Sequence, residues 1–454
     1  MNSNKLFPVL GLCLLIFSSQ ALAVLPVAVD GQGLPSLAPM LDQTTPGVVN
    51  IAARGRVAVQ NNPLLEDPFF RRFFDMPQAP RERMTQSLGS GVIVDAKKGY
   101  VLTNHHVVAS ADEISVTLRD GRQLDAKLVG SDPDADIAVL KIPAENLVAV
   151  PWGDSDKLRV GDFVVAIGNP FGLGQTVTSG IVSALGRSGL GIEAYEDFIQ
   201  TDASINPGNS GGALVDLAGR LIGVNTAIVG PSGGNIGIGF AIPVRMAKSI
   251  MEQLIEHGQV TRGSLGVMVQ DLSPELSQAF GLKGRTGAVI SRVEPGSPAD
   301  KSGLKAGDVV TAVNGRPVHN SGDMRNVIGL QRIGEVVAME VLRDGKPLQL
   351  RAVIEKTKIK TVDGGELHPR LQGAKLASAA QVLNRELPGL VVVEVAHGSR
   401  AEQAGLMKED IIVSINRHVI TTPEEAAEVV KRSGGGQLLV NVQRGDAALF
   451  MVLQ

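Results

Sequence analysis

The chain has 454 residues, of which 44% are hydrophobic and 20% charged, and its formal net charge is -3. This length predicts about three domains, and the weak negative charge gives no reason to expect nucleic acid or an anionic membrane as a partner. Aromatic residues make up only 3% while there are 53 glycines, a composition that favours β-structure with many tight turns over helical bundles.

The first 23 residues are typical of a secretory signal. Lys5 supplies a positive charge, residues 6–17 form an apolar core, and Ala21-Leu22-Ala23 fits the small-x-small cleavage pattern. The apolar core is too short to span a bilayer, so we expect cleavage and no stable membrane insertion. The single cysteine, Cys13, lies in this segment. The mature chain is therefore expected to have neither a disulfide nor a cysteine nucleophile.

Short apolar runs follow from about residue 40 to 240, separated by Gly, Asn and Asp. Residues 91–94, 137–140, 163–167 and 221–224 are examples. Their even spacing predicts an all-β barrel or sandwich. Apolar residues at helical spacing then predict one helix that ends near Gly258, namely Ala247, Ile250, Met251, Leu254 and Ile255.

The segment Asn-Pro-Gly-Asn-Ser-Gly-Gly at 206–212 holds a serine in a glycine-rich turn. Gly208 permits backbone geometry that a side chain would forbid, and the amides of Gly208 and Ser210 could converge as an oxyanion hole. His106 and Asp136 precede this serine. The order His, Asp, Ser is that of the chymotrypsin-type triad, in which a base activates the hydroxyl and is itself oriented by an acid.

Each role has competitors nearby. His105 adjoins His106, and periodicity does not decide which of the two faces the serine. Asp136 directly precedes an apolar strand, whereas Asp132 and Asp134 are expected to solvate a turn. Ser204 lacks flanking glycines, so we prefer Ser210 as the nucleophile. The seven histidines are scattered and form no metal-binding pattern, so we expect no metal and no cofactor.

The last 190 residues contain an internal repeat. Residues 293–304 realign with residues 395–406, Asp308 with Asp410, and Asn314 with Asn416, always at an offset of 102 residues. A period of this length indicates tandem domains rather than a solenoid. The polar segment 357–369 between the two copies is interpreted as a linker.

The motifs at 103–107, 132–138 and 208–212 resemble those of the HtrA (Deg) family of serine proteases, as do residues 160–172 and 200–203. The repeat is similar to two PDZ domains. Together with a cleaved signal, two such domains resemble the periplasmic DegP/DegQ branch of the family, and the fairly short, cysteine-free segment 61–83 is closer to its DegQ members.

The resemblance implies a mainly β chain in which a chymotrypsin-like double β-barrel protease domain is followed by two PDZ domains. The expected boundaries are a signal peptide at 1–23, a protease domain at 24–259 with a long loop at 61–83, the first PDZ domain at 260–356, a linker at 357–369 and the second PDZ domain at 370–454.

The resemblance also implies site residues. His106, Asp136 and Ser210 would form the triad, and the amides of Gly208 and Ser210 the oxyanion hole. Loops near 186–197 and 228–237 would regulate the site. Ile205 and Ile228 would line a small apolar pocket that favours cleavage after Val, Ala or Ile. Asn209 stands where pancreatic-type proteases carry an acid that pairs with a new N-terminus, so we expect no activation by zymogen cleavage.

In the first PDZ domain, the resemblance implies a loop that binds peptide carboxylates, formed by Arg262, Gly263, Ser264, Leu265, Gly266 and Val267. The counterpart at 370–375 departs from the pattern, so a scaffolding role is expected for the second domain. By the same resemblance, the subunits would assemble into trimers and larger cages. The cluster Phe69, Phe70, Phe73 and Phe74 would contact neighbouring subunits.

The function implied by the resemblance is that of a periplasmic, ATP-independent serine endopeptidase. It would degrade unfolded or misfolded proteins through an acyl-enzyme and would also have chaperone activity. Two alternatives remain open at this point. One is a holdase chaperone whose role does not need cleavage, and the other is a peptide-binding scaffold with a latent protease site.

Overall fold

A computed structural model of the protein describes residues 28–29, 32–33, 36–58, 82–109, 111–169, 174–206, 208–228, 235–282, 286–356, 359–383, 387–434, 436–445 and 447–453. Most of the loop expected at 61–83, with its phenylalanine cluster, lies outside these residues. Two compact units are present, Met1–Pro39 and Met40–Gln454. In the first, β1 (Ala28–Val29) pairs with β2 (Gln32–Gly33). No helix among the described residues has the length and apolar character needed to cross a membrane.

The N-terminal part of the large unit forms a closed six-stranded antiparallel barrel in the order β3-β4-β5-β8-β7-β6. Its strands are β3 (Val48–Ala58), β4 (Glu82–Asp95), β5 (Tyr100–Thr103), β6 (Glu113–Thr117), β7 (Gln123–Asp132) and β8 (Ile137–Lys141). Buried branched residues such as Ile51, Ile93 and Leu140 fill its core. A short helix, α1 (Ala38–Thr44), precedes the barrel, and another, α2 (His105–Val108), follows β5 directly.

A second closed barrel follows in the order β10-β11-β14-β13-β12-β9. Its strands are β9 (Phe163–Gly168), β10 (Thr176–Arg187), β11 (Phe198–Thr201), β12 (Ala213–Asp216), β13 (Leu221–Ile228) and β14 (Gly239–Pro243). Helix α3 (Val244–His257) then buries Ala247, Ile250 and Leu254. It ends at Gly258, which has a φ of 72° and donates its N–H to the Leu254 carbonyl. The predicted helix is confirmed.

The first of the two repeats has a sheet in the order β16-β17-β18-β20-β21, with β19 paired to β18, and a separate two-stranded sheet of β15 and β22. Its strands are β15 (Gly263–Ser264), β16 (Val267–Asp271), β17 (Ala288–Val293), β18 (Val309–Val313), β19 (Arg316–Pro317), β20 (Val336–Arg343), β21 (Lys346–Val353) and β22 (Glu355–Lys356). Its helices are α4 (Pro274–Ala279), α5 (Pro298–Lys301) and α6 (Ser321–Gly329).

The second repeat has the sheet order β23-β24-β25-β26-β28-β29. Its strands are β23 (Val362–Asp363), β24 (Ala374–Ser378), β25 (Leu390–Val395), β26 (Ile411–Ile415), β27 (His418–Val419), β28 (Leu438–Arg444) and β29 (Ala447–Leu453). Its helices are α7 (Gly364–Leu367), α8 (Ala379–Leu383), α9 (Arg400–Gln403) and α10 (Pro423–Arg432).

The two repeats differ at one sheet edge. In the first repeat β16 is the edge strand, so one side of it has no strand partner within the described residues. In the second repeat the corresponding strand, β24, pairs with β23, whose Val362 lies opposite Leu376. Val362 also packs against the hydrophobic core of that repeat. The segment expected to be a linker therefore supplies a strand that covers this edge.

Each repeat contains the same buried ion pair. In the first, the Arg343 guanidinium donates at 2.7 Å to both oxygens of Asp308, which is 1% exposed, and also to the Gly303 carbonyl. In the second, Arg444 contacts Asp410 and the Gly405 carbonyl in the same way, at 2.6 to 2.7 Å. A bidentate pair of this kind satisfies a carboxylate that burial would otherwise penalise.

This pair generates a stability prediction. Arg343→Ala leaves the Asp308 carboxylate buried without its cation, so the first repeat is expected to lose about 3 kcal/mol of stability. Hydrogen exchange of the β20–β21 segment in the full chain measures that loss. Arg351→Ala is the matched control, because Arg351 is exposed on the same hairpin and forms no ion pair among the described residues. Equal protection in the two variants would contradict the assignment.

Candidate active site

Neighbouring strands of the first barrel bring His106 and Asp136 together. Strand β5 ends at Thr103, which lies opposite Ala138 of β8, and His106 follows on α2. Asp136 directly precedes β8 and has a φ of 53°. This left-handed conformation is uncommon for a residue with a side chain, although Asp tolerates it better than most. It places the carboxylate at the end of β8 nearest α2.

The Asp136 carboxylate accepts hydrogen bonds from three donors. The His106 backbone N–H donates to Oδ1 at 2.9 Å, and the His106 ring atom Nδ1 lies 2.8 Å from Oδ2. The Thr226 hydroxyl, on β13 of the second barrel, donates to Oδ2 at 2.6 Å. The carboxylate side chain is only 3% exposed. Donors from both barrels therefore compensate the burial of one charge.

Asp136 also sets the protonation of the imidazole. Burial opposes the charged form of His106, but the hydrogen bond to Asp136 and the charge of that carboxylate outweigh it, with a smaller contribution from Glu193. Together they raise the pKa of His106 above its ordinary value of 6.5. With Nδ1 directed to Asp136, Nε2 is left as the ring atom able to accept a proton. Half of the His106 side chain is exposed.

In the turn that carries Ser210, some backbone N–H groups are hydrogen-bonded within the protein and others are not. The N–H groups of Asn209, Gly211 and Gly212 donate to the carbonyls of Asn206, Asn225 and Asn209, respectively, at 2.8 to 2.9 Å. Within the described part of the chain, the N–H groups of Gly208 and Ser210 donate to no protein acceptor. Two unpaired amides, one on the serine itself and one two residues before it, are what a developing oxyanion requires.

Two glycines are required by this geometry. Gly208 has a φ of 100° and Gly211 a φ of 82°, in the left-handed region that favours glycine. At Gly211 a Cβ would also lie 2.2 Å from the carbonyl oxygen of Ser90. The buried Asn209 side chain packs against Gly168, where a Cβ would lie 2.5 Å from Asn209 Oδ1. The turn is thus wedged tightly against both barrels.

The Ser210 hydroxyl donates to the Thr226 carbonyl at 3.2 Å. Thr226 therefore contacts two of the candidate residues, Ser210 through its carbonyl and Asp136 through its hydroxyl. For the hydroxyl proton to reach His106 Nε2, the serine side chain has to rotate about its Cα–Cβ bond. Catalytic hydrogen bonds commonly tighten only when substrate is bound.

The competing residues are engaged elsewhere. His105 Nδ1 lies 3.0 Å from the Ser131 hydroxyl, and Asp134 is exposed. The expectation that Asp132 solvates a turn is wrong, because its side chain is buried and paired with Arg262 of the first repeat. Burial raises the pKa of the Asp132 carboxyl, and the charge of Arg262 offsets only part of that. Because Arg262 lies 130 residues away in the sequence, the residues around Asp132 gave no indication of this ion pair.

Two further predicted regions can be located. Ile205 is buried in the core of the second barrel, with its carbonyl accepting from Asn235 Nδ2 at 3.0 Å, while the side chain of Ile228 lies outside the described residues. In the loop at 186–197, the buried Glu196 carboxylate accepts from three backbone amides of the same loop. Asn326 of α6 donates to the Glu196 carbonyl. This loop therefore joins the barrel to the first repeat.

The predicted peptide loop of the first repeat leads into the uncovered strand β16. Gly266 has a φ of 73° and its N–H donates to the Ser264 hydroxyl at 3.1 Å. The Leu265 carbonyl accepts from the Ala299 N–H at 3.0 Å. Arg262, which was expected to belong to this loop, directs its guanidinium to Asp132 and stacks on the Tyr195 ring at 4.1 Å.

Sequence reasoning missed Thr226 and Ser90. Ser90 lies between two glycines of β4 and Thr226 lies in β13, and neither position carries a catalytic motif by itself. The role of each residue becomes visible only in the structure, where its hydroxyl bonds to a residue of the other barrel.

The raised pKa of His106 yields a prediction. Replacing Asp136 by Asn removes the charge that favours imidazolium, so the pKa of His106 should fall. The stability due to this raised pKa is present below about pH 6.5 and is lost as the pH rises through the folded-state pKa. Ring NMR titration in a Ser210→Ala background measures the pKa. Asp134→Asn is the control, and an unchanged pKa in Asp136→Asn would contradict the account.

Comparison with known proteins agrees with this geometry. Residues 89–224 match the family model of the trypsin-like peptidase domain, and residues 263–354 and 391–444 each match a PDZ domain. The chain is 46% identical to the periplasmic pH-dependent serine endoprotease DegQ of Escherichia coli K12, over 96% of this chain and 95% of the relative. It is 44% identical to the periplasmic serine endoprotease DegP of Salmonella typhimurium, over 98% and 97%, respectively.

A solved structure is also similar. The HtrA-type protease AlgW with a decapeptide aligns with a TM-score of 0.54 and 49% identity, covering 72% of this chain and 100% of that one. The 46% identity to DegQ over nearly the whole chain, together with the two barrels and the two PDZ domains, shows the family. The chain belongs to the HtrA family of trypsin-like serine endoproteases, in its periplasmic DegP/DegQ branch.

Proposed function

We propose that Ser210 is the nucleophile, His106 the general base and Asp136 the residue that orients His106. The observation that carries the proposal is the Asp136 carboxylate bound to His106 Nδ1 at 2.8 Å, together with a turn in which the N–H groups of Gly208 and of Ser210 itself have no acceptor among the described residues. Ser210 Oγ attacks the scissile carbonyl carbon while its proton passes to His106 Nε2. The oxyanion then accepts hydrogen bonds from the amides of Gly208 and Ser210.

The remaining steps return every group to its starting state. The tetrahedral intermediate collapses, the C–N bond breaks, and the leaving amine takes the proton from His106. Water then attacks the acyl-enzyme with His106 again acting as base, and the second tetrahedral intermediate releases the carboxylic acid and Ser210. All groups in this cycle come from the chain itself, so the proposed chemistry runs without a cofactor.

Unfolded or misfolded proteins are the proposed substrates. Cleavage needs an extended segment that can reach Ser210, and an unfolded chain supplies such segments. The expected preference for Val, Ala or Ile before the scissile bond remains a prediction from family resemblance, since Ile205 is buried in the core of the second barrel. Assembly into trimers and larger cages remains a prediction from family resemblance, since the phenylalanine cluster lies outside the described residues.

The first PDZ domain is the proposed site for peptide termini. Its edge strand β16 can accept an added strand, and we expect residues 262–267 next to it to bind the carboxylate of that strand. AlgW, a similar protease, has been solved with a decapeptide. In the second PDZ domain β23 covers the corresponding edge, which supports a scaffolding role for that domain.

One observation favours the latent-site alternative. The Ser210 hydroxyl bonds to the Thr226 carbonyl rather than facing His106, as in a resting enzyme. A protein that stays in this state would act as a holdase chaperone. Suppression of aggregation by Ser210→Ala separates that activity from cleavage.

The proposed nucleophile is tested with a reduced, unfolded protein as substrate and mass spectrometry of the fragments. Ser210→Ala should lower the cleavage rate by about 10⁴-fold or more, because no other group attacks the carbonyl. Ser204→Ala is the matched control and should retain cleavage. Fragments from the wild type should end in small aliphatic residues. Equal cleavage by wild type and Ser210→Ala would exclude Ser210 as the nucleophile.

The peptide site is tested by hydrogen exchange in the Ser210→Ala background. A ten-residue peptide with an apolar C-terminal residue should slow exchange in β16 and leave β24 unchanged, because β16 is an edge strand within the described residues whereas β24 pairs with β23. The same peptide with a C-terminal amide is the control, and its effect should be at least about tenfold weaker, since no carboxylate is offered. Slower exchange in β24 instead would contradict the assignment.

A further inference from the structure

Ser90 lies on β4 of the first barrel and is fully buried. It contacts two backbone carbonyls of the turn that carries Ser210. The Ser90 hydroxyl donates to the Gly208 carbonyl at 2.5 Å, and the Ser90 N–H donates to the Ser210 carbonyl at 2.8 Å. One residue of the first barrel thus holds the nucleophile turn of the second barrel on both sides of the serine.

These two bonds hold the carbonyl ends of two peptide units in the turn. The N–H ends of the same units, on Asn209 and Gly211, donate to the carbonyls of Asn206 and Asn225. Gly208 has no Cβ and a φ of 100°, so its own preferences do not select one ψ angle, and the Ser90 hydroxyl helps to set it. The peptide unit that carries the Ser210 N–H lies between the two units that Ser90 contacts, so its orientation depends in part on Ser90.

The Ser90 hydroxyl also accepts a hydrogen bond, from the Asn169 N–H at 2.7 Å. Asn169 directly follows β9, and its carbonyl accepts from the buried Asn50 side chain at 2.9 Å. The N–H and the carbonyl of Asn169 are thus both hydrogen-bonded to side chains of the first barrel. A single hydroxyl joins the end of β9 to the nucleophile turn.

Removal of this hydroxyl would leave two buried groups unpaired. Ser90→Ala deprives the Gly208 carbonyl of its donor and the Asn169 N–H of its acceptor, and no water reaches a fully buried position without rearrangement. Relief by rotation of the Gly208–Asn209 peptide also breaks the bond from the Asn209 N–H to the Asn206 carbonyl, and it displaces the next peptide, which carries the Ser210 N–H. The Asp136–Thr226 contact is not involved.

We propose that Ser90 is a positioning residue for the oxyanion hole. It acts through Gly208 and Ser210 and touches no reacting atom. The inference rests on the proposed roles of those two residues, and it assigns to Ser90 a kinetic effect that is separate from that of His106 and Asp136.

The test compares full-length wild type, Ser90→Ala, Ser90→Thr and Ser378→Ala. Ser378 is the matched control, because it is also buried and donates its hydroxyl to a backbone carbonyl, that of Thr421, but lies in the second PDZ domain. The substrate is a quenched fluorescent peptide based on a site that the wild type cleaves. A peptide boronate of the same sequence, which forms a tetrahedral adduct with a serine, serves as the transition-state probe.

For Ser90→Ala we expect kcat to fall about 30-fold while KM changes less than about threefold, a loss somewhat smaller than deletion of one oxyanion donor. Boronate affinity should fall by a similar factor. The pH at which kcat/KM is half-maximal should not move, since His106 and Asp136 are untouched. Ser90→Thr keeps the hydroxyl and should retain most of kcat, and Ser378→Ala should match the wild type.

The inference is overturned if kcat and boronate affinity of Ser90→Ala stay within about threefold of Ser378→Ala, or if the Ala and Thr variants lose equally. If Ser90→Ala does not fold, Ser90→Cys carries the same test, because a thiol fills the space but is a weaker donor. Wild-type cleavage that survives in Ser210→Ala would instead refute the proposed function, so the two failures are distinguishable.

Discussion

The structure depends on one buried carboxylate. Asp136 lies in the first barrel, nearly without solvent contact, and an unpaired charge there would be strongly destabilising. Two of its donors come from His106 of the same barrel, and the third is the Thr226 hydroxyl of the second barrel. The charge is therefore fully compensated only when the barrels are docked. This requirement couples the folding of the protein to the assembly of its site.

The barrels exchange contacts in both directions. Thr226 reaches from the second barrel to Asp136, while Ser90 reaches from the first barrel to the turn that carries Ser210. Each contact is a single hydroxyl that satisfies buried groups on the opposite side. The Thr226 hydroxyl binds the carboxylate that contacts His106, and the Ser90 hydroxyl binds the Gly208 carbonyl. Small changes in barrel docking are thus expected to alter both halves of the site together.

Part of this organisation could be read from the sequence. The glycine-flanked Ser210 and the upstream His106 and Asp136 carry recognisable local patterns, and the 102-residue repeat indicated tandem domains. Thr226 and Ser90 could not be found, because a hydroxyl residue in a strand shows its role only through its partner. Asp132 was misread for the same reason, since Arg262 lies 130 residues away. The strand β23 also escaped prediction, because two residues are too few for a periodic signal. The catalytic roles and the domain boundaries remain predictions.

The most direct test of the central claim is to label the native protein with a fluorophosphonate and locate the adduct by peptide mass spectrometry. Such reagents react with a serine only when a neighbouring base and an oxyanion hole activate it. We predict one adduct per chain, on Ser210, that forms more slowly as the pH falls below the raised pKa of His106. An adduct on Ser204, or none on a protein that cleaves unfolded chains, would contradict the account.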